Sequence, residues 1–148
     1  MNNSLIKKIY KENQLVALIV PSDYSFDGIK FFTPDNLSQQ LAYMNRDAGY
    51  RIEPHVHNDV KREVVNTREV LMIRKGKVRV DFYDDNKNYI ESRILKTGDV
   101  ILFASGGHGF EMIEKTEIIE VKQGPYAGDK DKTRFRGVES AEIKLIDD

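Results

Sequence analysis

Between Lys77 and Tyr83 the chain alternates strictly: Val78, Val80 and Phe82 are apolar, while Arg79, Asp81 and Tyr83 carry polar groups. A period of two sends the two sets to opposite faces of an extended strand, so this segment buries one side and wets the other. Short segments of the same kind recur at even spacing. Residues 70–73 precede it across Arg74-Lys75-Gly76, and residues 89–95 follow across Asp84-Asp85-Asn86-Lys87-Asn88. Thr97-Gly98-Asp99 then turns into Val100-Ile101-Leu102-Phe103, an apolar run that reads as buried on both faces. Residues 108–113 and 117–123 complete the series around Glu114-Lys115-Thr116. No convincing helical period interrupts them. The chain is therefore expected to be all-β, a sandwich or barrel.

The flanks are read the same way. Leu15-Val16-Ala17-Leu18-Ile19-Val20 is a compact apolar run closed by Pro21, and residues 28–32 form a short strand ending at the turn Thr33-Pro34-Asp35-Asn36. Residues 38–45 are taken as a strand, which Asp47-Ala48-Gly49 turns into another carrying His55 and His57. After Gly124-Pro125-Tyr126-Ala127-Gly128-Asp129 the sheet ends. The charged residues 130–136 are expected on the surface, and Ile143 and Leu145 in a last edge strand.

A length of 148 residues suits a single domain, 1–148, with no internal repeat or low-complexity linker. With 23 basic and 24 acidic residues the net charge is −1, which argues against a nucleic-acid partner. The absence of cysteine excludes disulfides, thiolate metal sites and cysteine nucleophiles. Lys7-Lys8 before the first apolar run is signal-like. That run is too short for a secretory signal, and no small-residue cleavage site follows. No stretch approaches membrane-spanning length. The expectation is a soluble cytoplasmic domain with no membrane partner.

All three histidines fall within one two-part pattern: Gly49-x5-His55-x-His57 with Glu69-x6-Gly76, then Gly98-Asp99 with Gly106-Gly107-His108. Imidazoles at i and i+2 share one face of a strand. With Glu69 and His108 on neighbouring strands, four ligands would converge on one metal ion. Single histidines near strand ends are commonly hydrogen-bonded surface residues; three at this spacing favour ligation. A nitrogen and oxygen donor set without thiolate suits Mn, Fe, Co, Ni or Zn in the divalent state.

This two-part pattern resembles the paired motifs of the cupin superfamily, over roughly residues 38–123. The resemblance implies a cupin-type jelly-roll barrel (a double-stranded β-helix) holding a divalent transition metal through His55, His57, Glu69 and His108. Two departures stand out. Eleven residues separate His57 from Glu69, so residues 58–68 are an insertion beside the site. Glu63 lies nearer the usual distance from His57, yet Glu69 keeps the spacing to Gly76 and opens a Val-Leu-Met-Ile strand, so Glu69 is preferred. In the second motif Ala104 stands where proline is usual, and His108 comes one residue early. Residues 69–135 also look like a group of small bacterial cupins associated with surface-polysaccharide and nucleotide-sugar genes. Their marks here are the 77–83 strand, Gly106-Gly107-His108-Gly109-Phe110-Glu111 and Val121-Lys122-Gln123-Gly124-Pro125-Tyr126.

Three functions stay open. One is a metal-dependent isomerase, lyase or oxygenase acting on a small polar metabolite such as a sugar or nucleotide sugar. Another is a cupin that binds a small molecule without turnover. The third is a metal-free sugar isomerase or epimerase using His55, His57 or His108 as base. Tyr126, Glu111 and Lys122 are the candidate catalytic residues, with Gln123 near them. For Glu120 and Lys122 the favoured reading has Ile119 and Val121 facing the core and the charges facing water. Arg51 and Glu53 share the phase of the two histidines. The 130–136 stretch with Phe135 is a candidate cover or anion contact. The extra β segments at the two ends suggest edge protection or a homodimer.

Overall fold

The computed structural model describes residues 5–147. They form two compact units, one from the chain up to Tyr24 and from Asn66 onward, the other from Ser25–Val65. The first unit holds β1 (Lys7–Lys11), β2 (Gln14–Val20), β5 (Glu69–Lys75), β6 (Lys77–Tyr83), β7 (Tyr89–Lys96), β8 (Val100–Phe103), β9 (Gly107–Met112) and β10 (Glu117–Lys122). The second holds β3 (Gly28–Phe31) and β4 (Ala42–Asn45). Every ladder is antiparallel, and no α-helix occurs among the described residues. The all-β expectation is met.

In the first unit β1-β2-β8-β5-β10 make one sheet and β7-β6-β9 another. Among the described residues no ladder closes the two into a barrel. On β6 the expected wet face is not kept, since Asp81 and Tyr83 are buried, but the apolar half works as its pattern requires: Val78, Val80 and Phe82 are fully buried. They meet Leu71 and Ile73 of β5, Ile101 and Phe103 of β8, and Leu95 of β7 in one apolar cluster. Burying each such side chain stabilises the fold by roughly 1.5–3 kcal/mol, the main force joining the sheets.

The turns are built by the residues that marked them. Gly76 has φ +94°, and a Cβ there would lie 2.4 Å from the Lys115 carbonyl oxygen. Only glycine meets both demands. Asp84 accepts hydrogen bonds from the backbone N–H of Asn86 and Asn88 and from the Asn88 amide, closing the β6–β7 loop. Asp99 of the Gly98-Asp99 pair accepts from the N–H of Ser22 and of Lys96. Its role is therefore structural.

Several local expectations are corrected. Residues 38–41 are not strand; only Ala42–Asn45 pairs, with Gly28–Phe31. The Gln40 amide donates to the carbonyls of Pro34 and Leu37 while its oxygen accepts from Thr33, so Gln40 clamps a loop. No strand runs through His55 and His57 either: residues 51–65 carry no ladder. Pro54 lacks an N–H to give one, and the charged residues after His57 favour solvent. At the other end, residues 140–142 form a 3₁₀ turn, and Leu145 makes one isolated bridge to Ser92 in place of an edge strand. Conversely β1, with only Ile9 buried, went unpredicted.

The phase of β10 is also reversed. Ile118 packs on the core, whereas Ile119 and Val121 are 47% and 59% exposed. The cause is a register shift between Glu117 and Ile118. It sets Ile118 opposite Ile73, Glu120 opposite Leu71 and Lys122 opposite Glu69. Cross-strand partners point to the same face, so Glu120 and Lys122 join the face of the buried β5 residues.

Candidate functional site

Glu69 opens β5 on the face of Leu71 and Ile73, and the sheet delivers it to the end of the core. His108 lies on β9 opposite Phe82. Its ring stacks on Phe103, with centroids 3.9 Å apart and planes inclined by 21°, and Phe110 closes one side at 5.2 Å. Held this way, His108 Nε2 sits 3.1 Å from Glu69 Oε2. Both side chains are largely buried. The hydrogen bond from His108 holds the Glu69 carboxyl below the ordinary carboxylate range, against the opposing effect of burial. The ammonium groups of Lys122 and Lys132 act in the same direction.

Lys122, directly across the ladder from Glu69, has its Nζ 3.2 Å from Glu120. That contact raises the Lys122 pKa and keeps it a cation. Lys122 thus belongs to the surroundings of the Glu69–His108 pair, where the sequence pattern had placed it in solvent.

The pair lines a cleft of about 540 Å³ within the first unit. Its far wall is aromatic: Phe135 meets Tyr83 edge-on at 5.0 Å. A Cβ at Gly107 would stand 3.1 Å from the Phe135 ring, so a larger residue there requires the ring to give way. The Tyr83 hydroxyl accepts the N–H of Val138, and Thr67 donates to Asp131, so residues 131–138 are tied along the cleft. The 130–136 stretch is on the surface as expected, with only Asp131 and Phe135 partly buried against the cleft. Tyr83 and Phe135 were not singled out as a paired wall, since only long-range packing joins them.

The other two histidines lie in the second unit. Their rings stand edge to face with centroids 5.3 Å apart, and His55 Nδ1 is 3.0 Å from the Glu53 carbonyl oxygen. With Nδ1 donating to that carbonyl, Nε2 is the ring nitrogen left for another partner. Among the described residues no group of three or more His, Asp or Glu side chains is gathered. Of the four predicted residues, Glu69 is brought to His108 in the first unit and His55 to His57 in the second.

The remaining candidates fall elsewhere. Glu111 pairs with Arg79 at 2.5 Å, on the β6 face that also carries Asp81, so it is engaged in a salt bridge and absent from the cleft lining. Tyr126 is 86% exposed. Gln123 Oε1 is buried with no hydrogen-bond partner among the described residues. Arg51 and Glu53 are exposed. Compared with protein-family models, curated proteins and solved structures, the chain matches none.

Proposed function

We propose that this chain is a cupin-type jelly-roll metalloprotein in which His55, His57, Glu69 and His108 hold one divalent transition ion (Mn, Fe, Co, Ni or Zn). In this reading it binds a small polar metabolite such as a sugar or nucleotide sugar, as a homodimer. The observation that carries the reading is the 3.1 Å approach of His108 Nε2 to Glu69 Oε2 in the wall of a 540 Å³ cleft. A carboxylate and an imidazole nitrogen directed at each other at the end of a core are ligand-type groups positioned by rigid strands. The Nδ1 contact of His55 with the Glu53 carbonyl oxygen fixes the ring of a second imidazole in this reading. When bound, the ion would polarise a carbonyl or acidify a water, chemistry suited to isomerisation, elimination or oxygenation. Lys122, paired with Glu120 and across the ladder from Glu69, favours the ionised form of the Glu69 carboxyl.

The same contact supports a second reading, a metal-free acid–base site. Glu69 would then orient the His108 ring, and the imidazole would move the proton of a sugar substrate. Elemental mass spectrometry of tag-free protein, beside a His55→Ala/His57→Ala variant, separates the two. Near-stoichiometric metal in the parent, lost in a folded variant, is the expected result. A parent that stays empty after incubation with each of the five ions overturns the metal reading and leaves the His108–Glu69 base.

A further inference from the structure

The hydrogen-bonding groups of the cleft are unequally used. Its carboxylates already have protein donors: Asp84 takes three, Asp85 takes the Gln14 amide and the Gly106 N–H, Asp131 takes the Thr67 hydroxyl, and Glu69 takes His108. The cations are different. Lys87 rides over the Phe135 ring at 5.9 Å, but no hydrogen bond or ion pair ties Lys132 or Arg134 to another described residue. What the cleft offers unspent is therefore donors, three on an ammonium and five on a guanidinium fork. The Lys132 and Arg134 end of the cleft is the part that suits a ligand bringing acceptor oxygens with negative charge. The guanidinium plane matches the geometry of a phosphoryl group, and the Tyr83–Phe135 wall beside it offers a surface for the apolar face of a ring.

We propose that Lys132 and Arg134 form the phosphoryl-binding subsite of this cleft, and that its ligand is a small phosphate ester whose remaining body lies against Tyr83 and Phe135 toward Glu69 and His108. This deepens the small-metabolite reading above and rests on it for the identity of the site. It assigns a role to the charged 130–136 stretch, which supplies the subsite from beyond the last strand. The volume of about 540 Å³ lies in the range of small-molecule sites and exceeds that of a bare monosaccharide.

The test is calorimetric titration of the full chain with glucose 1-phosphate, using glucose as the uncharged probe and gluconate as the carboxylate probe. The parent is compared with Lys132→Ala/Arg134→Ala and with the charge-matched surface variant Lys8→Ala/Lys115→Ala. Each protein is measured after chelation and after metal loading, with its metal content determined. The expected result is binding of glucose 1-phosphate by the chelated parent, weakened at least about tenfold in Lys132→Ala/Arg134→Ala and unchanged in the surface variant. Glucose and gluconate should bind at least about tenfold more weakly than the ester. Equal binding by the parent and Lys132→Ala/Arg134→Ala overturns the proposal, as do equal losses in both double variants or no binding at all. Ester binding by a parent that takes up no metal sinks the metalloprotein reading alone, whereas stoichiometric metal without ester binding sinks the subsite alone.

Discussion

Asp81 shows how far a single residue can depart from its local pattern. By alternation it belongs to the wet face of β6, yet it is buried at 7% exposure. It is satisfied there by Arg79, through Nε at 2.8 Å and Nη2 at 3.1 Å, and by the hydroxyl of Ser92 at 2.5 Å. Ser92 is itself fully buried and shares a hydrogen bond with the Tyr89 hydroxyl at 2.7 Å. The Arg79 pKa is raised, chiefly by its hydrogen bond to Asp81, so the guanidinium keeps its charge. Ser92→Ala takes one donor from a buried carboxylate, which costs the desolvation of that lone pair. It should destabilise the protein by about 1–3 kcal/mol in urea unfolding. A loss below about 0.5 kcal/mol would show that Arg79 alone satisfies Asp81. Nothing in residues 77–83 announces this burial. It depends on the chain after residue 138, whose Lys144 carbonyl accepts the Ser92 N–H and whose Ile146 N–H returns to the Ser92 carbonyl.

At the scale of elements, legibility followed the strength of the local signal. Strands bounded by tight turns and carrying a clear alternation were readable almost to the residue: β6, β7, β8 and β9 lie where the pattern placed them. β1 was missed because Lys7-Lys8-Ile9-Tyr10-Lys11 offers one buried residue and pairs on one side only. β10 was located but turned over, since its facing is set by the register shift at Glu117/Ile118 and not by composition. Isoleucines at 118 and 119 make the sequence compatible with either phase. The assignment predicts a clear contrast between neighbours. Ile118→Ala, which uncovers the core beside Ile73, should cost about 1–3 kcal/mol, and Ile119→Ala should stay within about 0.5 kcal/mol. Chemical denaturation of both variants decides it, and the reverse order would restore the phase with Lys122 in water. The candidate site divides along the same line. Glu69 and His108 were legible residue by residue because each sits on a well-signalled strand. The 130–136 stretch was legible only as a candidate cover or anion contact, having no period to place Lys132, Arg134 and Phe135 individually.

For the whole molecule the two units differ in what holds them. The first has two sheets around one apolar cluster. The second has a single ladder of two four-residue strands, with residues 51–65 outside any ladder. A lone two-stranded ladder is of marginal stability, and backbone N–H groups without partners exchange freely. Amide exchange in metal-free protein should therefore be slow in β5, β6 and β8 and fast across residues 51–65. The four-ligand reading draws two ligands from each unit, so it makes a further demand. An ion bound at 100 times its Kd stabilises the binding-competent state by about 2.7 kcal/mol, close to a hundredfold in any opening that releases it. If His55 and His57 are ligands, Mn²⁺ or Zn²⁺ must slow exchange around them by that order, together with Glu69 and His108. Slowing confined to β5 and β9 would leave Glu69 and His108 as the only ligands and remove the two histidines of the second unit from the site. An unchanged pattern in both units would favour the base reading, in which Glu69 serves His108 and no metal is held.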